Sequence, residues 1–320
     1  MRRTRTRPLA VCILLALLTN QSFAASISFQ DAIQADSPIL WYQLNEAAGN
    51  AINYGSLGAT HDATYNGTIN REVGTLAGDT GVGFDSTDDF LESLGVSNLT
   101  GNPTFSIETL VFLPMDGTAG LWGPYLQWGF GGTGNEVYFS VQNDNLDRIY
   151  AGFYCAGLRT ANTVPLGEWL HIVWTRQGGN DSATGTILYI NGASVALEQD
   201  PDLVLVGGCA SGFLSSREIT VTSAEFRINR GQDVIGSRFF TGTMDEIALY
   251  DRVLTPLEVQ EHFDLASCPW NCADADGNVG IVDFLALLAQ WGGPGTCDFD
   301  GGGVGINDFL ALLANWGPCP

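Results

Sequence analysis

Between about Ala25 and Leu265 the chain runs in short apolar or alternating stretches broken by clusters of Gly, Asn and Asp. Ile39-Leu40-Trp41-Tyr42-Gln43-Leu44, Phe105-Ser106-Ile107-Glu108-Thr109-Leu110-Val111-Phe112 and Trp169-Leu170-His171-Ile172-Val173-Trp174 are the clearest. Successive side chains of a strand face opposite sides of a sheet, so short runs of this kind are strand signals. Thr186-Ile187-Leu188-Tyr189-Ile190 stops at Asn191-Gly192, a dipeptide that accepts the positive φ angles of a tight hairpin. No long helical pattern is interleaved, which predicts an antiparallel sandwich and not a parallel sheet. One helix start is plain. Thr255 caps, Pro256 takes the first helical position and Glu258 completes a capping box, predicting a short helix to about Phe263.

Beyond residue 265 the texture changes, which divides the mature chain into regions 25–265 and 266–320. Cys272 to Gly292 repeats without gaps as Cys297 to Gly317, with fourteen identities in twenty-one positions. Phe284, Leu287, Leu288 and Trp291 fall on one helical face, as do Phe309, Leu312, Leu313 and Trp316. Asp283 and Asp308 stand where N-caps would, and Gly292 and Gly317 where helices would stop. Helices this short do not persist alone, so the pattern predicts that the two apolar faces bury each other.

Charge narrows the partners. The formal charge is −22, the sequence pI is near 4.1, and all thirteen basic residues are Arg. Nucleic acid and anionic membrane would repel such a surface. With 45% hydrophobic and only 15% charged residues, a disordered acidic chain is excluded as well. Arg2, Arg3, Arg5 and Arg7 precede the apolar run Leu9 to Leu18 and the small-residue site Ser22-Phe23-Ala24. That is the form of a secretory signal, residues 1–24, cleaved after Ala24 and too short for a membrane span. The mature protein is therefore expected to be secreted, extracellular or at the cell surface.

Export changes the cysteine arithmetic. Cys12 leaves with the signal, and Cys155, Cys209, Cys268, Cys272, Cys297 and Cys319 remain. An even number in an oxidising compartment favours disulfides over metal thiolates. The last four crowd the tail, and their pairing there is open. Cys155 and Cys209 are left as a pair in the larger region, or as two buried thiols.

The larger region resembles the LamG-like jellyroll domains of the concanavalin A-like lectin/glucanase superfamily. The resemblance rests on Gly83-Phe84-Asp85-Ser86-Thr87-Asp88-Asp89-Phe90-Leu91-Glu92, Phe105 to Val111, Gly167 to Arg176 with Leu188-Tyr189-Ile190-Asn191-Gly192, and Phe240 to Tyr250. It covers most of the region, although 115–165 and 199–238 match no pattern of it. It implies a mostly β fold, a concanavalin A-like antiparallel jellyroll sandwich that binds glycans or proteins more often than it catalyses. It also implies a structural calcium at the sheet edge, with Asp245 the candidate beside Asn45 or Glu46; hydrogen bonds to backbone N–H groups are the alternative role for Asp245.

The tail resembles a dockerin, a small helical module of tandem calcium loops that docks on a cohesin or similar surface partner. An EF-type loop needs oxygen ligands at positions 1, 3, 5 and 12 and Gly at 6. With Asp283 at 12, Gly277, Asp276 and Asp274 fit, but Cys272 stands at 1. With Asp308 at 12, Gly302 fits, while Asp298 and Asp300 serve only if that loop is one residue short. Either calcium is held, or disulfides have replaced it and the aspartates are caps.

Catalytic signals are thin. Family-16-like glucanases carry Glu-x-Asp-x-x-Glu on one strand, whereas Glu108 is followed by Thr, Leu, Val and Phe. Retaining hydrolysis needs two carboxyl groups about 5–5.5 Å apart, which this strand does not supply. Of His61, His171 and His262, none stands in a nucleophile motif, and His171 reads as a structural core residue. Trp122, Tyr125 and Trp128 form either an aromatic platform for a sugar or part of the core. The expected function is a secreted, non-catalytic recognition protein. Its jellyroll binds a glycan or extracellular protein, and its tail attaches it to an assembly. A dockerin-borne glycoside hydrolase in polysaccharide degradation and a structural envelope protein are the alternatives.

Overall fold

The computed structural model describes residues 28–319 apart from 75–79, 86–87, 116–122, 131, 133, 143–146, 180, 182–183, 200–218, 234–235, 274–277 and 301. Two eight-stranded antiparallel sheets pack face to face. The first runs Ala193–Ser194, Thr186–Ile190, Trp169–Arg176, Phe105–Phe112, Thr241–Tyr250, Thr80–Asp85, Asn70–Gly74, and Leu40–Tyr42 also pairs with Thr241–Tyr250. The second runs Leu197–Glu198, Ala156–Thr160, Arg148–Phe153, Glu136–Gln142, Gly123–Gly129, Phe226–Ile228, Phe90–Ser93, Thr64–Asn66. This is the antiparallel sandwich that the strand pattern predicts and the jellyroll that the resemblance implies.

Alternation explains the core. Phe105, Ile107 and Val111 point inward from one strand and Leu170, Ile172 and Trp174 from its neighbour, meeting Trp128, Phe139 and Phe153 of the second sheet. Phe105 lies edge-on to both Trp128 and Trp174, with centroids 5.2 and 4.9 Å apart. The Asn191-Gly192 hairpin forms as predicted, with φ of 50° and 75° at its two turn residues.

The outer face of the first sheet is apolar too, and helices cover it. Trp41, Leu110, Val173, Ala248 and Tyr250 pack there against Phe29 and Ile33 of one helix and Val259 and Ala266 of another. The second of these, Pro256–Ser267, carries the predicted Thr255–Glu258 capping box but ends at Ser267, about a turn later than expected. The first, Phe29–Ala35, was legible only as the box Ser28-x-x-Asp31, in which each side chain meets the other's backbone N–H.

In the tail, Ile281–Gln290 and Ile306–Ala314 form the two helices of the repeat. Two disulfides, Cys268–Cys319 and Cys272–Cys297, close it. Cys155 is disulfide-bonded, and Cys209 lies outside the described residues. Asp283 and Asp308 are not N-caps. Gly280 and Gly305 hold those positions, and the aspartates sit one turn inside, accepting the glycine N–H groups at 2.8 and 2.7 Å. Glycine has no side chain with which to cap, so the carboxylate reaches back to do that work.

Candidate functional site

The strand glutamate is engaged in a buried network. Glu108, on the helix-covered face of the first sheet, is fully buried. His171 Nε2 donates to its Oε1 at 2.7 Å, His262 Nδ1 donates at 2.8 Å, and Tyr250 Oη donates to Oε2 at 2.7 Å. His262 Nε2 lies 3.3 Å from Asp36, which Arg252 pairs at 2.7 Å. Phe29 closes the cluster edge-on against both imidazoles. Burial would raise the Glu108 pKa, but His262 and His171 outweigh it and hold the carboxyl well below the usual range. Burial lowers and Glu108 raises the pKa of His262, with Asp36 adding to the rise, and the charged pair prevails. Three donors and a fixed charge make this a lock between sheet and helices; a general acid needs access to substrate, which this carboxyl does not have.

The outer face of the second sheet is polar and aromatic. Glu92, Arg227, Gln127 and Tyr138 follow one another across the strands, and Ser140, Tyr150, Arg159 and Glu198 form a second row. Arg227 Nε pairs with Glu92 at 2.7 Å, and Arg148 and Arg159 share Glu198 at 2.7 and 3.1 Å. These acids are thus held by arginines. Tyr138, Tyr150 and Cys155 pack together on this face and are themselves buried.

Tyr125 and Trp128 do not form a ligand platform. Both lie in the core between the sheets, 0% and 1% exposed, and Trp128 Nε1 donates to the Leu99 carbonyl at 3.2 Å. The residue shift in the ladder between Pro124 and Leu126 turns Tyr125 inward beside Leu126, where an uninterrupted strand would have sent it out. Trp122 lies outside the described residues.

Two groups of three acids bring carboxylate oxygens within 4.8 Å of one another among the described residues: Asp298, Asp300 and Asp308, and Asp85, Asp88 and Asp89. The first is the second tail loop, closed as the one-residue-short form would close it. Asp300 accepts Gly302 N–H and the Asn307 amide, both at 2.9 Å, and Asp298 Oδ2 accepts Gly303 N–H at 2.9 Å. Asp298 Oδ1 is a buried oxygen without a hydrogen bond. An all-oxygen donor set of this charge suits a hard cation such as calcium. In the first loop Asp283 accepts Ala273 N–H at 3.0 Å, and Asp274 and Asp276 lie outside the described residues.

Asp245 belongs to neither group. It is buried at the ladder irregularity of Thr241–Tyr250, while Glu46 accepts Ile52 N–H at 2.8 Å and the Tyr65 hydroxyl at 3.3 Å. Asn45 donates weakly to Gln43, at 3.4 Å. The acid group at Asp85 was missed in the sequence, although its Asp-x-x-Asp-Asp spacing after a strand was there to read.

The tail helices bury less than their pattern predicts. Leu287 and Leu312 are fully buried, and Phe284 meets Phe309 with ring centroids 5.9 Å apart. Leu288, Trp291, Leu313 and Trp316, however, are 45–49% exposed, and Ile281, Leu285, Ile306 and Leu310 are 57–59% exposed. Each helix thus bares a stripe at i, i+4, i+7 and i+10, and the two stripes match position for position. Helices of ten and nine residues make one narrow seam, and apolar residues on more than half of each circumference cannot all fit into it. Among the described residues no helix is long and apolar enough to cross a membrane.

Comparison with known proteins bears on the larger region. A family model described as the concanavalin A-like lectin/glucanases superfamily matches residues 85–260. No curated protein matches the sequence. Among solved structures, domain 4 of AbnA, a GH43 extracellular arabinanase from Geobacillus stearothermophilus in complex with arabinotriose, aligns at 17% identity and TM-score 0.48, over 72% of this chain and 98% of that one. Trypanosoma rangeli sialidase in complex with sialic acid aligns at 16% identity and TM-score 0.47, over 71% of this chain, and only 32% of the sialidase is spanned. The binding domain of Paraclostridial Mosquitocidal Protein 1 aligns at 13% identity and TM-score 0.50, over 72% of this chain and 52% of that domain.

Proposed function

The chain belongs to the concanavalin A-like lectin/glucanases superfamily, and from that premise we propose that it is a secreted, non-catalytic recognition protein attached by its tail. Residues 1–24 direct export, 25–265 form the recognition domain and 266–320 form the dockerin-like adaptor. The observation that carries the attachment reading is the pair of matched apolar stripes on the tail helices. Exposed apolar surface of this extent is costly in water, so it is kept where a partner covers it. The partner is a cohesin-like protein. Calcium, held by Asp298, Asp300 and Asp308 and in the first loop by Asp274, Asp276 and Asp283, orders the loops that present the stripes.

The sandwich takes a carbohydrate or an extracellular protein. Two features support binding over hydrolysis: Glu108 is sequestered beneath helices, and Glu92 and Glu198 are neutralised by arginines. The test is a glycan array and a pull-down from extracellular extract, run with the mature protein with and without EDTA. Trp291→Ser with Trp316→Ser is expected to reduce capture of the tail's partner at least tenfold while leaving glycan binding unchanged. Undiminished capture by that double variant would remove the adaptor reading, and turnover of any polysaccharide in a broad panel would remove the non-catalytic one.

A further inference from the structure

We propose that Asp85, Asp88 and Asp89 form a calcium site that clamps the crossing of the chain from one sheet to the other. Asp85 ends Thr80–Asp85 in the first sheet, and Phe90–Ser93 begins directly after Asp89 in the second. Three carboxylates bring their oxygens within 4.8 Å of one another at this crossing, a convergence that a cation among them would stabilise.

The second observation is Asp89 itself. It is 1% exposed, and its Oδ1 is a buried oxygen that accepts no hydrogen bond. Backbone N–H groups of Asp85 and Thr68 lean on the same carboxylate, so only part of its demand is met. Across the ladder from Asp85 stands Thr241, whose hydroxyl oxygen is likewise buried without a hydrogen bond. Buried polar groups are almost always satisfied, and the Asp89 oxygen inside the acid cluster is one that a cation would satisfy.

The chemistry selects the ion. The donors are all hard oxygens, with no His or Cys among them, which excludes soft metals. Asp85 and Asp88 are exposed while Asp89 is buried, so the ion would be half enclosed and would complete its shell with water. A half-open set of carboxylates suits calcium, whose shell takes six to eight oxygens in flexible geometry, better than magnesium, which demands a near-ideal octahedron. The position is a junction. The Asp89 carbonyl accepts the side-chain amide of the buried Asn229 at 2.7 Å, and Asn229 in turn accepts Phe240 N–H. Gly67 is built into the same corner: its φ is +89°, and a side chain there would run into Asp89.

Calcium titration by calorimetry of the mature full-length protein tests the site, with Asp85→Asn, Asp88→Asn and Asp300→Asn as variants. Asp85 and Asp88 are exposed, so their substitution leaves folding intact. One bound equivalent is expected to weaken at least tenfold in Asp85→Asn and in Asp88→Asn and to persist in Asp300→Asn, which touches only the tail loop. Identical stoichiometry and affinity in wild type, Asp85→Asn and Asp88→Asn, including no binding in any of them, would overturn the proposal. Its failure would leave the adaptor reading untouched, since that rests on the tail.

Discussion

Replacing Glu108 with Gln is expected to destabilise the sandwich by about 3–5 kcal/mol, the range for removing one partner of a buried charged network. The carboxylate receives two imidazoles and a phenol within 2.7–2.8 Å and is fully buried. An amide can accept from only some of these donors and aims its own NH2 at the others. Urea unfolding followed by tryptophan fluorescence measures the loss; a change below about 1 kcal/mol would show that the network contributes no more than an ordinary hydrogen bond.

The same network sets a pH optimum. Glu108 has a lowered pKa in the fold, so its contribution is present above the unfolded value of 4.5 and fades as pH falls below it. His262 has a raised pKa, so its contribution is complete below the unfolded value of 6.5 and is lost as pH climbs through the folded value. Stability of the sandwich is therefore expected to peak between about pH 4.5 and 6.5 and to decline on both sides. In the Glu108→Gln variant the alkaline decline should flatten, because the main cause of the His262 rise is gone. An unaltered profile in that variant would break the link.

Cys272→Ser with Cys297→Ser is expected to remove about 2–5 kcal/mol from the tail and to unfold it at ordinary temperatures. The buried apolar core there is Val279, Leu287, Val304 and Leu312 beside Cys268, Cys272 and Cys297, a very small cluster to oppose chain entropy. The pair is separated by 25 residues, and closing a loop of that length in the unfolded chain stabilises the fold by about 3 kcal/mol. Limited proteolysis reports the outcome. Cleavage should begin within the tail of the variant while the sandwich stays intact, because its core is separate from that of the tail. A tail equally resistant in variant and wild type would show that its helices hold each other without the bridge.

What could be read along the chain was local. Phe105–Phe112, Trp169–Arg176 and the Asn191-Gly192 turn each declare themselves within a few residues, because alternation and turn chemistry are neighbour effects. Glu108 also stood in plain view, but the histidines that engage it are 63 and 154 residues away, and no spacing rule brings them together. The stretch 115–165 matched no pattern, yet it supplies four central strands of the second sheet. There the outward positions carry Gln127, Tyr138, Ser140 and Tyr150, a mixture of ring and amide that blurs the apolar–polar alternation. In the tail the helical period was legible from Phe284 and Leu287, but periodicity shows that a face is apolar and not whether anything covers it. Tyr125 was left open between platform and core for a different reason: a single extra residue in a ladder reverses the side to which a chain points.

The helix Pro256–Ser267 lies on the back of the first sheet, and the tail begins at its end, at Cys268. The helix Phe29–Ala35 lies on that back as well. Both ends of the sandwich's chain therefore leave from the side opposite the second sheet. A molecule moored through its tail would turn its helix-covered back to the mooring and hold the second sheet on the far side.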